Sequence, residues 1–122
     1  MPQWSAINAA GSLKSQPVTI ANGQSVSGVI DLEDLSLVGL VMPAAWTAAS
    51  LTLEGSYDGT NFFSVYDESQ EVSLTSPSAS RWIMLSPSKY ANLRYLKLRS
   101  GTSGGPVNQG QDSTITLIAR QL

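Results

Sequence analysis

Leu51-Thr52-Leu53-Glu54-Gly55-Ser56-Tyr57-Asp58-Gly59-Thr60-Asn61-Phe62-Phe63-Ser64-Val65-Tyr66-Asp67 is the stretch from which the fold is read. Leu51, Leu53 and Tyr57 fall on one side of an extended chain, and Thr52, Glu54 and Ser56 fall on the other. That period of two marks a strand with one dry face. Asp58-Gly59 follows, and then a second β-rich run from Asn61 to Asp67. An Asp-Gly step between two such runs predicts a hairpin, because glycine takes up positive φ at no steric cost.

The same pattern extends in both directions. Towards the N-terminus it marks Val18–Ile20, Ser25–Leu32 and Leu35–Met42, the last stopped by Pro43. Towards the C-terminus it marks Glu71–Thr75, Arg81–Ser86, Leu93–Ser100 and Ser113–Arg120. Leu96 and Leu98 oppose Tyr95, Lys97 and Arg99, while Ile115 and Leu117 oppose Thr114, Thr116 and Arg120. Leu35–Met42 differs in being apolar on both faces, so it is either central and covered or has one face against a partner. No long window has a helical period. Ser86-Pro87-Ser88-Lys89-Tyr90 is the one candidate helical turn, with Ser86 as cap and Pro87 in the first position. The predicted architecture is all-β: an antiparallel, jelly-roll-like β-sandwich of about eight strands. A closed barrel or an immunoglobulin-like sandwich is the runner-up. Residues 1–17 read as an N-terminal arm and residues 18–122 as a single domain.

Composition narrows the chemistry. The 122 residues include no cysteine and no histidine, which removes disulfides, thiolate nucleophiles and imidazole bases. Charged residues are only 13%, so the surface rests on 19 serines and 8 threonines. A net charge of −2 lacks the basic surplus of a nucleic-acid binder. The longest apolar run, Leu37 to Trp46, is far short of the roughly 20 residues of a membrane span. Met1-Pro2-Gln3-Trp4-Ser5 has neither a basic nor a hydrophobic leader region, so no Sec-type signal peptide is expected. Synthesis in a reducing cytoplasm is compatible with the missing thiols.

Each string that could carry a reaction has a plainer reading. Ser103-Gly104-Gly105-Pro106 is similar to the nucleophile segment of chymotrypsin-like proteases, but no histidine exists to take the serine proton. Asp31, Glu33 and Asp34 lack the spacing of a calcium loop and read as an acidic turn. No catalytic residue, metal site or cofactor is expected, and the chain is not read as an enzyme. Contact residues are a different matter. Trp82, within Arg81–Leu85, reads as core. Trp46, behind Pro43, is either a plug or a contact, and Trp4 is either an anchor into a neighbour or a cover for its own sandwich. The loop Gly101–Asp112 is long for a hairpin, which suggests a contact role for Gly104, Gly105, Pro106 and Asn108. Tyr95, Lys97 and Arg99 make a stripe that reads chiefly as a solvated strand face, with sugar contact as the sharper alternative.

Two longer runs carry a family resemblance. They are Val38-Gly39-Leu40-Val41-Met42-Pro43-Ala44-Ala45-Trp46 continuing to Gly59, and Arg94-Tyr95-Leu96-Lys97-Leu98-Arg99-Ser100-Gly101-Thr102-Ser103 continuing to Gln109. Together they resemble small proteins from the structural modules of tailed bacteriophages and prophages. The Tyr57–Phe63 hairpin and the Arg94–Leu98 strand also resemble the discoidin-type galactose-binding jelly roll. No functional residue carries over from either family. The first resemblance implies a virion protein, in particular a decoration (cement) protein on the head exterior. Its partners would be the major capsid protein and copies of itself, through Trp4, Pro43, Trp46, Gly104, Gly105, Pro106 and Asn108. The alternative is a carbohydrate-binding module, using Trp46, Tyr95, Arg94 and Arg99, or a minor part of a tail, baseplate or head–tail joint.

Overall fold

The computed structural model describes residues 4–9, 11–74 and 77–122. In chain order its strands are β1 (Ser5–Ala6), β2 (Leu13–Ile20), β3 (Ile30–Asp31), β4 (Ser36–Val41), β5 (Leu51–Ser56), β6 (Phe63–Ser64) and β7 (Tyr66–Asp67). Then come β8 (Gln70–Glu71), β9 (Ser73–Leu74), β10 (Trp82–Met84), β11 (Tyr95–Thr102), β12 (Gly105–Pro106) and β13 (Ser113–Arg120). A 3-10 turn, Pro87–Tyr90, is the only helical element among the described residues. Pro87 opens it, while Ser86 precedes it without a side-chain capping bond.

Every strand pair is antiparallel, and the strands form a sandwich. One sheet runs β1-β2-β13-β4-β10 and a second β12-β11-β5-β6, while β7 and β8 pair as a separate two-stranded ribbon. In the second sheet β3 shares one edge of β11 with β12, and β9 shares one edge of β5 with β6. Residues of both sheets meet around a residual void of about 10 Å³: Leu37 and Leu40 from the first, Leu51, Leu53 and Leu98 from the second. Each fully buried leucine contributes about 1.5–3 kcal/mol by leaving water.

The apolar character of β4 on both faces has a local cause. Val41, Leu40 and Gly39 pair with Thr116, Leu117 and Ile118, but Ala119 pairs with Leu37, so Val38 has no opposite number. The bulge at Val38 shifts the alternation by one residue. Leu37 therefore points into the core on one side of it and Leu40 and Met42 on the other, at 0%, 1% and 3% exposure. No partner is needed to explain that pattern.

The structure departs from three expectations. The boundary at residue 17 falls inside β2, whose Leu13–Ile20 pairs rung by rung with Arg120–Ser113. Lys14, Ser15 and Gln16 disguise the strand, and Pro17 lies beyond the β1 rungs, on an edge of β2 with no strand partner there among the described residues, a position that tolerates proline. Trp82 is 56% exposed and not core, because β10 is the last strand of its sheet. The Gly101–Asp112 loop is partly strand: Gly101 and Thr102 pair back onto Pro106 and Gly105. Gly101 has φ +92, and a Cβ there would stand 2.4 Å from the Gly105 carbonyl oxygen, so only glycine fits that turn. Thr75, the last residue of one predicted strand, lies outside the described residues.

Candidate functional site

The residues expected to make contacts are scattered. Trp4 is buried in the core, and its Nε1–H donates to the Asp31 carbonyl oxygen at 3.0 Å, which leaves no indole free to anchor a neighbour. Trp46 is half-buried against the core, with its Nε1 lacking a hydrogen-bond partner among the described residues. Pro43 is half-buried, whereas Gly104, Gly105, Pro106 and Asn108 are exposed.

The expected sugar-contact set is not assembled either. Tyr95 begins β11 and Arg94 directly precedes it, and the Arg94 guanidinium lies 4.8 Å from the Tyr95 ring centroid. Arg94 Nε and Nη2 donate to the Asp31 carboxylate at 2.7 and 3.3 Å. Arg99, four residues along the same face, is 5% exposed and fully engaged. Its Nε donates to Thr52 Oγ1 (3.0 Å), Nη1 to Glu54 Oε2 (2.9 Å), and Nη2 to Ser64 Oγ (3.2 Å) and Glu71 Oε2 (2.6 Å). Glu71 also accepts from the Ser103 amide and hydroxyl, which ties the β8 segment and the β11–β12 turn over the guanidinium. The stripe expected to be solvated is thus covered at Arg99. The serine of the protease-like string is bound to a carboxylate.

A second buried polar hub escaped the sequence reading. Gln109, 1% exposed, receives at Oε1 the Thr47 amide (2.9 Å), the Ser113 hydroxyl (2.9 Å) and the Gln111 side-chain amide (3.1 Å). Its Nε2 donates to the Thr47 carbonyl oxygen (3.0 Å) and Ser100 Oγ (2.7 Å). Its backbone receives the Gly23 amide and donates to the Gln24 carbonyl oxygen. One glutamine therefore joins the loops at Gly23–Gln24 and Thr47 and its own loop to β11 at Ser100 and β13 at Ser113. The polar, glycine-rich setting hid it.

The β5–β6 turn is organised by Asp58. Its carboxylate accepts from the Asn61 and Thr60 amides, both at 2.9 Å, from Asn61 Nδ2 at 2.8 Å and from Ser56 Oγ at 2.9 Å. These bonds, the Asn61 amide first, hold its acid well below the usual carboxylate range. Arg94 likewise lowers Asp31, through its hydrogen bond above all. Carboxylates lowered by folding stabilise the fold above their unfolded value of about 3.9, and that contribution is lost as pH falls through the folded values. Urea midpoints should therefore hold steady down to about pH 5 and fall below about pH 4. Asp58→Asn should make that acid limb shallower; an unchanged limb would contradict the assignment.

One exposed apolar surface lies on the outer face of the first sheet. Trp82 stands opposite Val41, and Met84 opposite Gly39, with the buried Ile118 next across the sheet. Trp82 and Met84 are 56% and 84% exposed. Gly39 lets the indole lie flat, since a Cβ there would come within 3.1 Å of Trp82 Nε1. The outer edge of β10 has no strand partner among the described residues. Exposed strand edges with apolar side chains are interaction surfaces unless blocked by charge. The nearest charge in the chain is Arg81, directly before β10.

The fold is similar to the crystal structure of SPBc2 prophage-derived protein YomS, with a TM-score of 0.55 at 9% identity over 94% of this chain and 97% of that one. At that identity the likeness is one of fold. No protein-family model and no curated protein matches the chain.

Proposed function

We propose that the chain is a structural protein of a tailed-phage virion, a decoration protein that attaches to the head exterior in many copies. The observation that carries this reading is the Trp82–Met84 face on an open-edged strand, which exposes an indole and a thioether where a stable monomer would place charge. The resemblance of the Val38–Gly59 and Arg94–Gln109 runs to phage structural proteins supports it. So does the fold shared with a prophage-derived protein. Many copies compensate for a modest contact on each, because every bound copy adds to the stability of the shell. Partners are then the major capsid protein and neighbouring copies.

The test is attachment. Purified protein is sedimented with heads that lack it, alongside the Trp82→Ser/Met84→Ser variant. The variant should bind at least about tenfold more weakly, as loss of aromatic anchors at an interface centre does. Both side chains are mostly exposed, so unfolding stability should change by less than about 1 kcal/mol. Unimpaired attachment of the double variant would overturn the assignment of this face.

A further inference from the structure

Three of the most exposed large side chains fall within ten residues of one another. Tyr57, Phe63 and Tyr66 are 80%, 57% and 54% exposed. They are not scattered: all three line one open groove of about 310 Å³, together with Gly55, Val65, Asn92, Leu93 and Arg94. The groove continues past Tyr66 and Asn92 into a second hollow of about 450 Å³, bounded by Asp67, Glu68, Ser88 and Lys89. Volumes of this size hold small organic ligands. Gly55 lets Val65 and Leu93 pack close over the strand, because a Cβ there would press within 3.1–3.2 Å of both side chains.

From this arrangement we infer that the groove beside Tyr57, Phe63 and Tyr66 binds a neutral oligosaccharide. Three features select that class of ligand. Aromatic faces at a rim stack on the apolar C–H faces of a pyranose ring. Hydrogen-bonding groups stand beside them. The Asn92 side-chain amide and the Tyr57 and Tyr66 hydroxyls have no intrachain partner among the described residues. Arg94 spends Nε and Nη2 on Asp31 and keeps Nη1 to donate. Charge decides between neutral and anionic sugars. Arg94 is neutralised by Asp31, and Lys89 Nζ is 3.5 Å from Asp67, which leaves Glu68 as an unpaired acid on the rim. An anionic glycan would find no free cation here and would meet that carboxylate.

The site is distinct from the Trp82–Met84 face, and it differs from the sugar-contact residues expected from sequence in all but Arg94. It stands or falls separately from the decoration reading. The test uses ¹⁵N-labelled full-length protein titrated with neutral oligosaccharides of glucose, galactose and N-acetylglucosamine, with a heparin-derived oligosaccharide as the anionic probe. At least one neutral series should shift the amides of residues 55–66 and 92–94 in a saturable way at or below about 10 mM, the range of weak single-site affinities. The heparin fragment should not. Tyr57→Ala/Tyr66→Ala should weaken that binding at least about tenfold, while Trp82→Ser binds like the parent. These tyrosines are mostly solvent-exposed, so the double variant retains the fold, and its amide spectrum verifies this. Absence of groove shifts with all three neutral series would overturn the proposal, as would undiminished binding by the double variant. So would loss of particle attachment in that variant without any saccharide response, which would make the groove a protein contact.

Discussion

Arg99→Met is expected to cost the fold about 3–5 kcal/mol, the range found when one member of a buried ion pair is removed and its partner stays. The Arg99 side chain is 7% exposed, with that of Glu71 at 14% and that of Glu54 at 24%. Without it, two carboxylates face one another across the outer face of the second sheet with no counter-charge. Thr52 Oγ1 keeps its bond to the Gly101 carbonyl oxygen, but Ser64 and Glu54 lose the guanidinium donor, and Glu71 is left with Ser103 alone. Arg99→Lys should recover little, because one ammonium cannot meet four acceptors spread across a planar fork. Adding Glu54→Gln and Glu71→Gln to Arg99→Met should recover much of the loss, since the uncompensated charge is then gone. Urea unfolding at neutral pH measures all three. A cost below about 1 kcal/mol for Arg99→Met would mean that the network is solvated.

Gln109→Leu should cost about 3 kcal/mol or more, by stranding several polar groups at about 1–3 kcal/mol each. Leucine removes the partner of both the Thr47 amide and its carbonyl oxygen, and of Ser100 and Ser113 Oγ. Ser113 and Ser100 are 0% exposed, so water is not at hand to replace the amide. Gln111→Ala is the matched control, because it removes one donor to Gln109 from a half-buried position and should cost less than about 1 kcal/mol. Amide exchange in residues 23, 47 and 109 should quicken in Gln109→Leu before global unfolding, since these backbones share the hub. Equal stability of the leucine variant and its parent would contradict the hub.

The features legible in sequence were those encoded by neighbouring residues. The Asp58-Gly59 turn, the alternation in Leu93–Ser100 and Ser113–Arg120, and the single turn at Pro87 all depend on spacings of a few positions. What remained hidden depended on distant partners. Lys14–Gln16 look like arm residues until β13 is placed beside them. Trp82 looks like core until β10 becomes the end of a sheet. Arg99 has the phase of a solvated residue, and Glu71, 28 positions away in sequence, covers it. The bulge at Val38 turned a sign of partnership into ordinary core packing. The groove was out of reach for the same reason. Tyr57 and Phe63 belong to the Asp58-Gly59 hairpin, but Asn92 and Arg94 come to the groove from beyond the 3-10 turn.

The decoration reading is tested most directly by counting. Quantitative mass spectrometry of purified virions gives the ratio of this chain to the major capsid protein. A lattice protein predicts a ratio on the order of one copy per one to a few capsid subunits, occupying repeated sites over the whole shell. A handful of copies per particle would contradict it and move the protein to the tail or the head–tail joint.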